Sequence, residues 1–216
     1  MYRGGHLPLY SNDGGTSAAD TLRRQFFHGD VPGMQSLIDA LPTRTSLCCV
    51  NPTSALLRSL QPWLEPVVAS AGTVLSIGCG SGLFEMLLAR QLEPIKPTHD
   101  HIAVFGVDTA PVDVFLRDCF RLVRDDASMV GADDEHHSIR VAALLAVYLR
   151  RPSLLVTYLH AYPHVEVIVL LGPRSENPLM DNATAAAVAA WGRGVAEIAA
   201  NVAPWDVCQV LHKHDA

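Results

Sequence analysis

Apolar residues along this chain alternate between two spacings. Thr73 to Ile77 have strand character and run straight into Gly78, Gly80 and Gly82; Leu83, Phe84, Leu87 and Leu88 then recur at helical spacing, predicting a helix over 82–93. Strand, glycine turn and helix make the first half of a nucleotide-binding unit. The glycines let the backbone turn tightly and approach a ligand closely, and the helix start presents unpaired N–H groups. Ahead of this unit the pattern predicts three helices. One contains Leu22, Gln25 and Phe26 and ends at His28-Gly29-Asp30; the next opens at Pro32 and carries Met34, Leu37, Ile38 and Leu41. The third starts with Asn51 as cap and Pro52 at the first helical position, has Leu56, Leu57, Leu60 and Trp63 on one face, and is expected to bend or end at Pro62 before a final turn from Pro66.

Beyond the unit, a Pro-containing loop at 93–100 leads to a buried strand over 101–107 that ends at Asp108. Val112, Phe115, Leu116, Cys119 and Phe120 give Pro111 to Val123 one apolar helical face. The apolar run 141–149 fits a helix or a buried strand. Arg150-Arg151-Pro152 breaks it and a helix over 153–162 follows, so a strand preserves the alternation. Residues 165–171 form a clear strand ending in Gly172-Pro173-Arg174, the Ala-rich stretch 182–201 reads as helix, and 205–211 alternates as a final strand. A further strand belongs near 124–137, where the pattern does not locate it.

Strands alternating with helices predict an α/β fold, a three-layer sandwich whose mostly parallel sheet is covered on both faces. An arm and helical cap (1–68) would precede the core (69–216) within one domain. In such open sheets the ligand lies outside the carboxyl ends of the strands, where the strand order reverses. Gly78–Gly82, Asp108, Tyr148–Arg151 and Gly172–Arg174 are therefore expected to line one crevice.

Composition narrows the partners. The 216 residues are 49% hydrophobic, ample for a sizeable core, and carry a net charge of −6 that argues against a general nucleic-acid binder. Cysteines 48, 49, 79, 119 and 208 have neither disulfide nor zinc spacing. Met1 to Ser17 is polar and glycine-rich, without a signal-peptide core, and the run Val141 to Leu149 is too short to cross a bilayer. The expectation is a soluble, cytoplasmic protein with a small-molecule partner and no membrane or nucleic acid.

The spacing at 78–82 is G-x-G-x-G, distinct from the dinucleotide fingerprint and from the Lys-bearing phosphate loop. Over roughly residues 70–175 the chain resembles class I S-adenosylmethionine (SAM)-dependent methyltransferases, whose first motif has this form. The resemblance implies a Rossmann-like methyltransferase sheet, with SAM as cofactor lying across Ser76, Gly78, Cys79, Gly80 and Gly82. It also implies that Asp108, with Thr109 beside it, accepts both ribose hydroxyls. The competing reading makes Asp108 the cap of a helix beginning near Pro111. Two departures from the family stand out. The family usually carries Asp or Glu two residues before the first glycine, near the cofactor's ammonium; here Ser76 occupies that position, and losing a charged partner costs about 1–3 kcal/mol. Glu85 either compensates in part or is a first-turn acid favoured by the helix dipole. At the fourth strand, Tyr148-Leu-Arg-Arg-Pro152 replaces the Asn/Asp-Pro-Pro-aromatic motif of amine-methylating relatives. Arginines there suit a carboxylate or phosphate on a substrate, or are surface residues beside a helix start. Tyr148, Arg150 and Arg174 are the candidate substrate contacts.

Asp133 or Asp134 could reach an adenine amine or belong to a solvated loop. The same acids with His136 and His137 lack the i, i+4 spacing of the usual zinc helix motifs. No general base stands out among His28, His136, His137, His160 and His164, and no catalytic residue is assigned. The resemblance implies a SAM-dependent methyltransferase acting on a small molecule. Two alternatives stay open: the same fold turned to cyclase-type chemistry with the cofactor optional, and a non-catalytic binding relative.

Overall fold

The structure, a computed structural model, describes residues 16–110, 115–123, 139–198 and 202–214. β1 (Thr73–Ile77) is buried at every position, as expected of a strand covered on both faces. Its side chains alternate between two cores. Val74 points into the core formed with α1 (Ala18–Phe27), α2 (Val31–Ala40), α3 (Ser54–Ala69) and α4 (Leu83–Leu92). Leu75 and Ile77 point into the core formed with α5 (Pro152–Ala161) and α6 (Asn182–Trp191). β2 (Val104–Asp108), β4 (Val141–Val147) and β5 (Val167–Pro173) divide their side chains the same way, with Val104, Leu145 and Val169 on the first face and Phe105, Leu144 and Ile168 on the second. This is the period-two alternation of a pleated strand, masked in the sequence because both faces are apolar.

The described residues form one seven-stranded sheet. With β3 (Phe120–Leu122), β6 (Gly192–Glu197) and β7 (Asp206–Lys213) included, its order is β3-β2-β1-β4-β5-β7-β6. β1 to β5 pair in parallel, while β7 runs antiparallel to both β5 and β6. The expected α/β three-layer architecture is thus present, and the strand order reverses between β1 and β4.

Several expectations need correction. Of the helix read over 111–123, residues 115–119 form a turn and 120–122 are β3, the strand expected further along; 111–114 and 124–138 lie outside the described residues. The helical spacing was met instead by Phe115 and Leu116, which the turn buries. Thr53, not Asn51, caps α3, its hydroxyl accepting from the Leu56 N–H at 3.2 Å, while Asn51 donates to the Ile38 carbonyl. α3 runs through Pro62 and Pro66, its buried stripe from Leu56 to Val68 holding it continuous against the sheet. The strand read over 101–107 begins only at Val104. The helix read over 182–201 stops at Trp191, where Gly192 starts β6 against β7. Of the arm read over 1–19, residues 1–15 are outside the described residues, while Ala18 and Ala19 already belong to α1, which starts there because the Ser17 hydroxyl caps it.

Candidate functional site

The reversal of strand order makes the carboxyl ends of β1 and β4 the expected ligand position. At the end of β1 the chain enters the glycine loop, where Gly78, Gly80 and Gly82 have φ of 76°, 57° and 73°, a region that side chains other than glycine seldom adopt. A Cβ at Gly78 or Gly80 would meet nothing within 4 Å, whereas one at Gly82 would lie 2.5 Å from Leu116 Cγ. Gly78 and Gly80 therefore face open space, and Gly82 is a packing position.

The N–H groups of Gly78, Cys79, Gly80 and Gly82 are already used. Those of Gly78 and Cys79 donate to the Val107 carbonyl at 2.8 and 3.2 Å, and that of Gly82 donates to the Cys79 carbonyl at 3.0 Å. The Gly80 N–H donates to Asp108 Oδ2 at 2.8 Å, while Asp108 Oδ1 accepts from the Ala110 N–H at 3.1 Å. A phosphate cradle needs free N–H donors aimed at the ligand. This loop offers glycine-open surface with carboxylates nearby, a setting for a neutral or cationic group. Each Asp108 oxygen still has capacity for a second hydrogen bond.

Two cavities border the loop, and a third lies beside them. One of about 400 Å³ is bordered by Gly78, Asp108, Thr109, Tyr148, Leu154 and Tyr158. A second, about 430 Å³, follows the loop from Gly78 to Ser81 and is walled by Cys48, Phe84 and Glu85. The third, about 890 Å³, is edged by Arg44, Tyr148, Arg150, Met180 and Trp205. Cys49 borders all three, and Gly78 and Val147 are shared by the first two.

Beneath the loop, Ser76 and Glu85 are 0% and 1% exposed, and the Ser76 hydroxyl donates to Glu85 Oε1 at 2.6 Å. Ser76 shares the face of β1 occupied by Val74, which turns it toward α4. Burial pushes the Glu85 carboxyl up to about 7, and the Ser76 hydroxyl opposes that rise. Burial, reinforced by the Glu85 charge, pushes the Cys48 thiol up to about 12 and raises that of Cys79 as well. Neither is a ready nucleophile at neutral pH.

At the end of β4, Tyr148 has φ 53°, an uncommon conformation for a bulky residue. Its hydroxyl donates to Asp206 Oδ1 at 2.7 Å and accepts from Arg44 Nη1 at 3.0 Å, with the guanidinium 5.4 Å from the ring centroid. Burial, then the Asp206 carboxylate, pushes the phenol up to about 12, so it stays protonated. Arg44 also donates to the Cys49 carbonyl.

The predicted crevice is thus divided. Gly78, Cys79, Gly80, Asp108, Thr109, Tyr148 and Arg150 border the cavities, while Ser76 lies beneath the loop. Gly172 packs against Tyr148, and Pro173 edges the third cavity. Arg174 pairs with Glu197 and lines none of the three. Asp133, Asp134, His136 and His137 lie outside the described residues. Among the described residues, no histidine borders these cavities and no cluster of three His, Cys, Asp or Glu is arranged to hold a metal ion. No described helix is long and apolar enough to cross a membrane. Sequence reasoning missed Arg44, Cys49 and Asp206, which reach the site from loops and from β7. It undervalued Glu85, whose one signal was a lone acid within the apolar run Leu83 to Leu88.

No protein-family model matches this chain, and no curated protein matches its sequence significantly. Solved structures similar to it include a SAM-dependent methyltransferase from Aquifex aeolicus at 11% identity, covering 83% of this chain and 98% of that one with a TM-score of 0.49. Another is the N-methyltransferase NodS from Bradyrhizobium japonicum, at 12% identity, 73% and 96% coverage and a TM-score of 0.44. A third is the magnesium protoporphyrin IX methyltransferase of Synechocystis with bound SAM, at 9% identity, 93% and 98% coverage and a TM-score of 0.44.

Proposed function

We propose that this chain binds SAM at the glycine loop and transfers its methyl group to a small molecule. The observation that carries the reading is the loop itself: the N–H groups of Gly78, Cys79, Gly80 and Gly82 are satisfied internally, its open glycines border two cavities, and Asp108 stands at one of them. That combination disfavours a phosphate-bearing nucleotide and suits a nucleoside whose charge is positive. The spare acceptor capacity of Asp108 matches a ribose diol, and Val107, Val123 and Leu154 give the same cavity apolar walls for a base. Bound SAM supplies an electrophilic methyl on a sulfonium. The chain's own part is alignment of the acceptor, which enters through the third cavity past the exposed Met180 and Trp205, with Tyr148 as the wall between. Tyr148 remains a hydrogen-bond donor to Asp206, so proton removal is not its role.

Calorimetric titration with SAM and with S-adenosylhomocysteine tests this reading. The expected result is saturable binding of both, weakened at least tenfold in Asp108→Ala. Absence of binding at millimolar ligand would refute the cofactor, and binding untouched by the substitution would refute the ribose role of Asp108.

A further inference from the structure

Glu85 has a geometry that packing alone does not account for. It lies in the first turn of α4 within a run where every other residue from Leu83 to Leu88 is buried and apolar. A methionine or leucine would fill the position without the desolvation a buried carboxylate suffers. Oε1 accepts from Ser76, but Oε2 is buried with no hydrogen-bond partner among the described residues. The wall that contains it faces the cavity of about 430 Å³ along the glycine loop. That cavity also has Arg44 on its border, a guanidinium that donates to the Cys49 carbonyl and to Tyr148 and has further N–H groups beyond those bonds. A carboxylate lacking a donor and a guanidinium thus border one chamber. A ligand group bearing both an ammonium and a carboxylate complements the pair.

We propose that this chamber receives the zwitterionic amino-acid end of SAM, with its ammonium donating to Glu85 Oε2 and its carboxylate accepting from Arg44. The assignment rests on the cofactor reading above and deepens it. The acid that relatives place on the strand at position 76 is supplied by helix α4, and Ser76 holds it in orientation through the 2.6 Å hydrogen bond. The cavity shares Gly78 and Val147 with the one at Asp108, so one ligand can occupy both.

The test compares three ligands by calorimetry. These are S-adenosylhomocysteine, its analogue without the amino group, and 5′-methylthioadenosine, which lacks the whole amino-acid end. With the wild-type protein the deamino analogue should bind about 10- to 100-fold more weakly than S-adenosylhomocysteine, the range expected for losing one hydrogen bond to a charged group. In Glu85→Gln, affinity for S-adenosylhomocysteine should fall by a similar factor, while 5′-methylthioadenosine stays within about twofold. Equal wild-type affinity for the amino and deamino ligands overturns the proposal and leaves the cofactor reading standing, without dependence on any variant's folding. A Glu85→Gln protein that loses all three ligands in parallel also overturns it, since the effect would be structural. If 5′-methylthioadenosine and S-adenosylhomocysteine both fail to bind the wild-type protein, the cofactor reading fails and the proposal with it.

Discussion

Glu85→Gln should make the ligand-free protein more stable above neutral pH. The carboxyl has an ordinary value of 4.5 and is pushed up to about 7 in the fold, chiefly by burial. The folded state therefore holds the proton more tightly than the unfolded chain. The stability linked to this group is fully present below pH 4.5, declines through the interval up to about 7, and is gone above it. At ~1.4 kcal/mol for each pH unit, the loss amounts to about 3 kcal/mol. Glutamine keeps the shape and the acceptor for Ser76 but cannot ionise, so the decline should disappear. His101, whose pKa burial lowers, contributes in the opposite sense below pH 6.5, and the variant retains that contribution. The difference between the two proteins therefore isolates Glu85. For a chain of this size about 3 kcal/mol corresponds to roughly 6–12 °C in Tm. Thermal melts followed by circular dichroism at pH 5 and pH 8 should show nearly equal Tm values at the lower pH. At the higher pH the variant should be ahead by that amount. Wild type and variant moving in parallel from pH 5 to 8 would show that Glu85 is not a buried acid held from solvent.

Other consequences can be checked in the same way. Asp108→Ala removes acceptors for the Gly80 and Ala110 N–H groups, so beyond its effect on ligand binding it should lower stability by about 1–2 kcal/mol in denaturant unfolding. Gly80→Ala meets no atoms and should cost only about 1–2 kcal/mol for its left-handed backbone. Gly82→Ala adds a clash with Leu116 and should cost about 2–4 kcal/mol; equal unfolding midpoints for the two variants would contradict the packing described for Gly82. Tyr148→Phe leaves the buried Asp206 without its phenol donor and should lower stability by about 1–3 kcal/mol in urea titrations, an unchanged midpoint arguing against the bond.

The parts of the fold legible in the sequence are those whose pattern and burial coincide. β4 is a continuous apolar run and β1 is buried throughout because both faces of a central strand are covered, and the glycines of the loop mark left-handed backbone that few other residues adopt. β3 escaped because its three residues are partly buried or exposed and depend on pairing with β2 for their conformation. β6 escaped for a related reason. It is an edge strand, exposed at most positions and specified by β7, a partner that follows it in the chain, although Gly192 and Gly194 were signals against a long helix. At the site, the glycine loop and Asp108 were readable from order along the chain. The inward aim of Glu85 was not, because an acid in a first helical turn ordinarily faces solvent. Only the sheet placing Ser76 opposite it reveals the pair.

The Arg44–Tyr148–Asp206 contact joins segments separated by 104 and 58 positions along the chain. Asp206 opens β7, the last strand in chain order among the described residues, so the order of synthesis bears on the site. The glycine loop and Asp108 belong to segments that emerge early, and they can meet through β1 and β2 alone. Tyr148, which borders both the cavity at Asp108 and the one at Arg150, gains its Asp206 acceptor only once β7 has inserted between β5 and β6. A nascent chain that has not yet added β7 would already hold the Gly80–Asp108 bond while Tyr148 still lacked its Asp206 acceptor. The fold thereby defers the fully bounded cavity until the whole sheet is assembled.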